Sequence, residues 1–227
     1  MVYILISGCI GVFLNYYFRK PTTRGMIGEL RVQRILKRLA NKLGGYELRD
    51  AMFGEGDESS QIDNVLISSK AIYVIEVKYY KGWIFGNDKN KQWKQTIKYF
   101  NRRTNSRGKT YYKTHIAKTS FYNPVSQNKT HIKRLKSNIE ITAMPPVYNI
   151  VVFSNAAELR DVVVEQTDTY VINMYQLKEV ISTLESGIDE IINVEVLVEI
   201  LDQMLFKNIT NKIAKKEHVR RIASKYN

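Results

Sequence analysis

The run AIYVIEVKYY (Ala71–Tyr80) constrains this chain more than any other segment. β-Branched and aromatic residues at this density favour a packed strand, and VIEVKYY is too apolar to lie exposed. Alternate side chains on a strand share a face. Ile72, Val74, Glu76 and Lys78 therefore project one way, and Tyr73, Ile75 and Val77 the other. A carboxylate in such company is costly without a partner, so the surroundings of this strand must be built to satisfy Glu76. The preceding run QIDNVLIS (Gln61–Ser68) has a similar composition, and the short Ser68-Ser69-Lys70 link predicts a hairpin. A hairpin can set Asp63 beside Glu76. Two carboxylates on adjacent strands with one ammonium form a site for a hard divalent cation flanked by a lysine. The same residues can instead form a buried Glu76–Lys78 or Asp63–Lys78 ion pair.

The other elements follow from periodicity. After Pro21, Thr22 and Thr23, the segment GMIGELRVQRILKRLANKLGG places Val32, Ile35, Leu36, Leu39 and Leu43 at helical spacing, and Gly44-Gly45 stops the helix. Glu29 falls on or beside its buried face. Helix signals are mixed from Lys91 to Phe121. Asn123-Pro124 opens a helix expected over Ser126–Ile139. Tyr148–Ser154 reads as a buried strand and Thr169–Met174 as another, leading into a helix near Gln176–Leu184. After Ser186-Gly187 an amphipathic helix is expected over Asp189–Phe206, and the basic tail has helical spacing at Ile213, Val219 and Ile222. The order α-β-β-insert-α-β-β-α predicts an α/β domain with a mixed sheet.

Charge and ligand inventory narrow the function. The net charge is +13, and the block from Gly86 to Lys136 holds 14 Lys/Arg against Asp88 alone, so it carries the whole excess. Such a field attracts polyanions, either nucleic acid or an anionic membrane face. Within it, IKYFNRRTNSRGKTYYKTH alternates Tyr99, Phe100, Tyr111 and Tyr112 with Lys and Arg, which suits phosphates on the cations and unstacked bases on the rings. Arg102, Arg103, Arg107, Lys109 and Lys113 are the candidate nucleic-acid contacts. Trp83 and Trp93 read as packing residues. Cys9 is the only cysteine, and the three histidines (His115, His131, His218) lie far apart. Any catalytic metal must therefore be held by carboxylates, which points to Mg²⁺, Mn²⁺ or Ca²⁺.

Six motifs occur in the order of a known family. They are Gly28-Glu29-Leu30, Gln61-Ile62-Asp63, Glu76-Val77-Lys78 with Gly82 and Trp93 after it, Asn123-Pro124-Val125-Ser126-Gln127, Ile132 with Leu135, and Val151-Val152-Phe153. This succession resembles the nuclease-related domain (NERD), from Gly25 to Phe153, with the strand and helix of Thr169–Leu184 completing it. That family is grouped with the restriction-endonuclease-like PD-(D/E)xK superfamily. The resemblance implies an α-β-β-β-α-β core around a mixed β-sheet flanked by helices, and Mg²⁺-dependent (or Mn²⁺-dependent) cleavage of nucleic acid, DNA before RNA. Asp63 and Glu76 would be metal ligands, Lys78 the catalytic lysine and Glu29 an accessory acid, with Gln127 reaching the same pocket. The basic segment from Lys94 to Tyr122 is longer than the resemblance leads one to expect. A non-catalytic nucleic-acid-binding module and a membrane-peripheral interaction protein are the alternatives.

Residues 1–18 contain no charged side chain, and Arg19, Lys20 and Arg24 follow. Eighteen helical residues rise about 27 Å, close to the hydrocarbon thickness. The flanking cations would place the body of the protein in the cytoplasm, and a cleavable signal peptide fits less well because no basic n-region precedes the run. The expected organisation is a membrane-anchoring segment over 1–20, a nuclease-like domain over 21–187 with a basic insert at 86–122, and a helical extension over 188–227. If residues 1–18 are instead a core helix, the protein is soluble and cytoplasmic. The full-length protein is expected to sediment with membranes and resist extraction at high salt, whereas a chain beginning near Pro21 stays in the supernatant. Recovery of the full-length protein in the soluble fraction would make residues 1–18 a core helix.

Overall fold

The computed structural model describes residues 21–53, 60–141 and 144–207. The chain is a mixed α/β structure in which two mixed sheets are flanked by helices. Helix α1 (Pro21–Leu43) ends at Gly44, whose φ of +61° few residues but glycine adopt readily. Strands β1 (Tyr46–Phe53), β2 (Ser60–Ile67) and β3 (Ile72–Lys78) form an antiparallel meander. Strand β7 (Val147–Phe153) then adds parallel to β3, and β9 (Thr169–Asn173) parallel to β7, giving the order β1-β2-β3-β7-β9.

The two faces of β3 divide as its alternation requires. Tyr73, Ile75 and Val77 pack with Val32, Leu36 and Leu39 of α1 and with Leu177 and Ile181 of α3 (Leu177–Ser186). Ile72 and Val74 pack the other way, against Leu135 of α2 (Pro124–Asn138) and against Ile200 and Met204 of α4 (Val194–Lys207). Helix α4 starts five residues later than Asp189, because the Asn193 side chain accepts the Glu195 N–H at 2.8 Å and sets the entry there.

The second sheet corrects the sequence reading. The segment of mixed helix signals is a β-hairpin, β5 (Gln92–Thr104) paired antiparallel with β6 (Thr110–Tyr122). It is joined by β4 (Gly82–Asn87), antiparallel to β5, and by β8 (Ala157–Val163), parallel to β4. Its root is a third core of Ile84, Trp93, Val125, Val151 and Phe153, with the Trp93 and Phe153 rings stacked at 6.2 Å. Trp93 is fully buried as expected, whereas Trp83 lies at the surface margin beneath Arg160. No helix among the described residues is long and apolar enough to cross a membrane. Residues 1–18, expected as an apolar helix, and the basic tail beyond 207 lie outside the described residues.

Asn123 joins the second sheet to α2. Its side-chain oxygen accepts the N–H groups of Val125 (2.9 Å) and Ser126 (3.3 Å), capping α2 ahead of Pro124. Its amide nitrogen lies 2.7 Å from the Asn90 carbonyl, 3.0 Å from that of Asp88 and 3.3 Å from that of Asn87, at the end of β4 and in the turn to β5. Asn123→Ala removes a helix cap and the side-chain donor to the Asp88 and Asn90 carbonyls, the first of them buried, so it is expected to cost about 2–4 kcal/mol in urea denaturation. Asn123→Asp keeps the cap oxygen but turns a carboxylate on those carbonyls, and is expected not to restore wild-type stability.

Candidate active site

The site lies where β3 leaves the core. The β2–β3 register pairs Asn64 with Ile75, which carries Asp63 to the level of Glu76 on the same face. Asp63 Oδ2 accepts the Val77 N–H at 3.0 Å. Glu76 is only 2% exposed. Lys78 Nζ donates to Glu76 Oε1 at 2.5 Å and to Gln127 Oε1 at 3.0 Å. Gln127 stands on the first turn of α2, so the Asn123 cap sets its position. One turn further along, His131 Nε2 lies 3.6 Å from Glu76 Oε2, an electrostatic contact too long for a hydrogen bond. Four of the five expected residues of the centre, Asp63, Glu76, Lys78 and Gln127, are thus joined at one end of β3.

Glu29 approaches from α1. Gly28 makes this possible, since a Cβ there would lie 2.3 Å from the Tyr79 ring just beyond Lys78. Glu29 is half-buried and makes no hydrogen bond within the centre. Burial first, then the charges of Asp50 and Glu76, raise its carboxyl above the usual value against the opposing pull of Lys78. Burial, reinforced by the Glu76 charge, pushes Asp63 up to about 8 despite the Val77 N–H. Burial would raise Glu76 as well, but His131 and the Lys78 ammonium outweigh it and hold Glu76 below its ordinary value. For Lys78 burial works against the charge, and the Glu76 carboxylate more than compensates, so the ammonium is held above its ordinary range. The centre therefore carries one secure carboxylate, one carboxyl inclined to keep its proton, and one secure cation.

This donor set is hard and oxygen-rich. Glu76 Oε2 is buried without a hydrogen bond, and Asp63 has a neighbouring negative charge that only a proton or a cation relieves. Asp63 and Glu76 could ligate Mg²⁺, which commonly takes one or two carboxylates and completes its shell with water and substrate phosphate. Among the described residues no three His, Cys, Asp or Glu side chains gather to hold a metal by themselves.

The expected nucleic-acid contacts lie elsewhere, all exposed. Arg102 and Arg103 are in the outer half of β5, Arg107 and Lys109 in its turn, and Lys113 in β6. Sequence reasoning missed His131, although it stands four residues after Gln127 and so shares its helix face. It also missed Asn128, fully buried, whose amide donates to the Val74 carbonyl and to Asn149 Oδ1, both at 2.8 Å, fixing α2 over β3 and β7.

Comparison with known proteins identifies the family. The family model of the nuclease-related domain matches residues 24–154, and the chain belongs to that family, which is of the PD-(D/E)xK kind. An uncharacterized protein of Bacillus anthracis is similar, 29% identical over 229 residues that span 100% of this chain and 97% of the relative. No solved structure matches the chain.

Because Asp63 holds its proton more tightly when folded, the unfolded chain releases that proton first as pH rises. In EDTA the Asp63 contribution to stability is therefore full below the ordinary Asp value, lost progressively up to about 8, and level above it. The slope approaches about 1.4 kcal/mol per pH unit in that window. Asp63→Asn is expected to remove it and to melt above wild type at pH above about 8, as thermal unfolding across the range will show.

Proposed function

We propose that this member of the nuclease-related domain family hydrolyses phosphodiester bonds of nucleic acid, with DNA as its main substrate, by a two-carboxylate-plus-lysine centre. The observation that carries the reading is the Lys78 ammonium held between Glu76 Oε1 and Gln127 Oε1 where β3 leaves the core, with Asp63 alongside. With β4, β5 and β6 set aside as an insertion between β3 and α2, the element order α1-β1-β2-β3-α2-β7 supports a restriction-endonuclease-like core. Asp63 and Glu76 are the proposed Mg²⁺ ligands, Mn²⁺ being the substitute, and the bound cation would supply a nucleophilic water and charge stabilisation at the phosphate.

The chain's own groups supply the rest. An ammonium has three donors; Lys78 uses two on Glu76 and Gln127, which leaves one for a phosphate oxygen or the attacking water. Gln127 and His131, on one face of α2, orient Lys78 and Glu76. Glu29, its carboxyl raised by burial, is suited to pass a proton to the departing oxygen. Anchoring through residues 1–18, with the site on the cytoplasmic side, belongs to the same proposal.

A second reading has one observation in its favour. Lys78 already neutralises Glu76 at 2.5 Å, as it would in a purely structural ion pair within a nucleic-acid-binding module. Incubation with single- and double-stranded DNA and RNA, in Mg²⁺, Mn²⁺ or EDTA, separates the two. Cleavage is expected only with metal. Glu76→Gln and Lys78→Ala are each expected to lower its rate by about 10²–10³-fold or more, Lys78→Ala without losing metal affinity. Equal activity in all three proteins would overturn the nuclease assignment.

A further inference from the structure

The β5–β6 hairpin is longer than the sheet that roots it. Pairing with β4 ends at Trp83↔Thr96, yet β5 and β6 continue together from Ile97↔Ala117 to Thr104↔Thr110. That outer part is a two-stranded ribbon about 25 Å long. Isolated two-stranded ribbons are marginal in water, and this one exposes Phe100 (59%), Ile116 (58%) and Tyr112 (70%). From Gln92 to Tyr122 the chain holds eight Lys/Arg and no Asp or Glu. Among the described residues none of those cations forms a salt bridge; Lys98 lies instead over the Phe100 ring at 5.4 Å.

Cross-strand partners share a face, so the register sorts these groups. One face carries Phe100 and Tyr112 among Lys98 and Arg102; the other carries Tyr99 and Tyr111 among Arg103 and Lys113. Each face thus alternates rings with cations. Eight like charges oppose pairing with a second copy of the arm. A membrane-inserting arm would gather its apolar groups at its tip, but the tip here, Asn105-Ser106-Arg107-Gly108-Lys109, is wholly polar. A duplex would use the cations and offer the rings no base faces. An unpaired strand uses both, phosphates on the cations and bases on the rings.

We infer that the β5–β6 ribbon is a binding arm for single-stranded nucleic acid, which it holds by base stacking and phosphate contact. The inference rests on the nucleic-acid reading above and adds the strandedness of what is held. Phosphates and base faces are common to DNA and RNA, so the arm does not choose between them.

The test is fluorescence anisotropy with the full chain in EDTA, where binding is read without cleavage, on oligonucleotides of about 20 nucleotides. Single-stranded DNA and RNA are expected to bind within a few-fold of each other and at least about tenfold tighter than the matching duplex. Phe100→Ser with Tyr112→Ser, and separately Tyr99→Ser with Tyr111→Ser, should each weaken single-strand binding about tenfold or more and leave the salt slope unchanged. Phe100→Trp, which keeps a π face, should bind as wild type. Replacing Arg102, Arg103 and Lys113 by Gln should flatten the slope of log K against log salt by about 2, at roughly 0.7 per phosphate contact on a single strand. Thermal melts identify any ring pair that unfolds the protein, and the pair on the opposite face then decides. Tighter binding of duplex, unchanged affinity in the folded ring variants, or preference for phosphatidylserine vesicles would overturn the arm. Cleavage measured separately in Mg²⁺ keeps the two proposals apart. An arm that binds without any cleavage sinks only the nuclease reading, and cleavage without arm-dependent binding sinks only this one.

Discussion

Strand β3 is buried on both faces and hydrogen-bonded along both edges, to β2 and to β7, yet two residues before its end it carries a carboxylate that is 2% exposed. That constraint organises the molecule. A charge so placed must be matched locally, and the alternation of β3 supplies Lys78 on the same face, two residues on. A lysine near the core must in turn be held, which Gln127 does from α2. Helix α2 is fixed by Asn128 against the β3 backbone and by Asn123 against the β4–β5 turn. The second sheet, built on Trp93 and Phe153, thereby mounts the helix that serves the first.

A second buried carboxylate shows what a structural solution looks like in the same chain. Glu185 of α3 is 7% exposed, and its Oε1 accepts from the Ser68 hydroxyl at 2.5 Å and the Tyr73 hydroxyl at 2.6 Å. Those donors are neutral and belong to the β2–β3 hairpin, so the group ties α3 to the sheet. Glu76 is matched instead by an ammonium and faces an imidazole, with another carboxyl at its side. Neutral donors suffice where a carboxylate only joins elements; titratable partners drawn from three elements, Lys78 of β3, Asp63 of β2 and His131 of α2, mark a place where charge is handled.

Much of this was legible because it rests on local pattern. The apolar density of Ala71–Tyr80 and Tyr148–Ser154 marked the buried strands, alternation placed Glu76 and Lys78 on one face, and the short Ser68-Ser69-Lys70 link implied the hairpin that sets Asp63 beside them. Asn123-Pro124 announced α2 through cap chemistry. Strands β5 and β6 were not legible, because Lys, Arg, Asn and Thr dominate a ribbon exposed on both sides, where no core imposes a period of two. Strands β1, β4 and β8 were missed for a related reason: YELRDAMF and AELRDVV carry charges on their outer faces, and GWIFGN has glycines that read as turns. His131 escaped because its meaning depends on Glu76, 55 residues earlier, and lone histidines carry no such signal.

The ends of the two sheets bear on where this unit of inheritance stops. The stretch shared with the family closes at residue 154, but the inner edge of each sheet is still open there. Strand β8 covers β4 and β9 covers β7, and both come later in the chain. A polypeptide cut at the homology boundary would present two unpaired, largely apolar strand edges, the usual invitation to self-association. The recognisable portion of the sequence and the portion that can stand alone in solution are therefore different lengths. Strands β8 and β9 belong to the folded unit even though the shared stretch stops short of them.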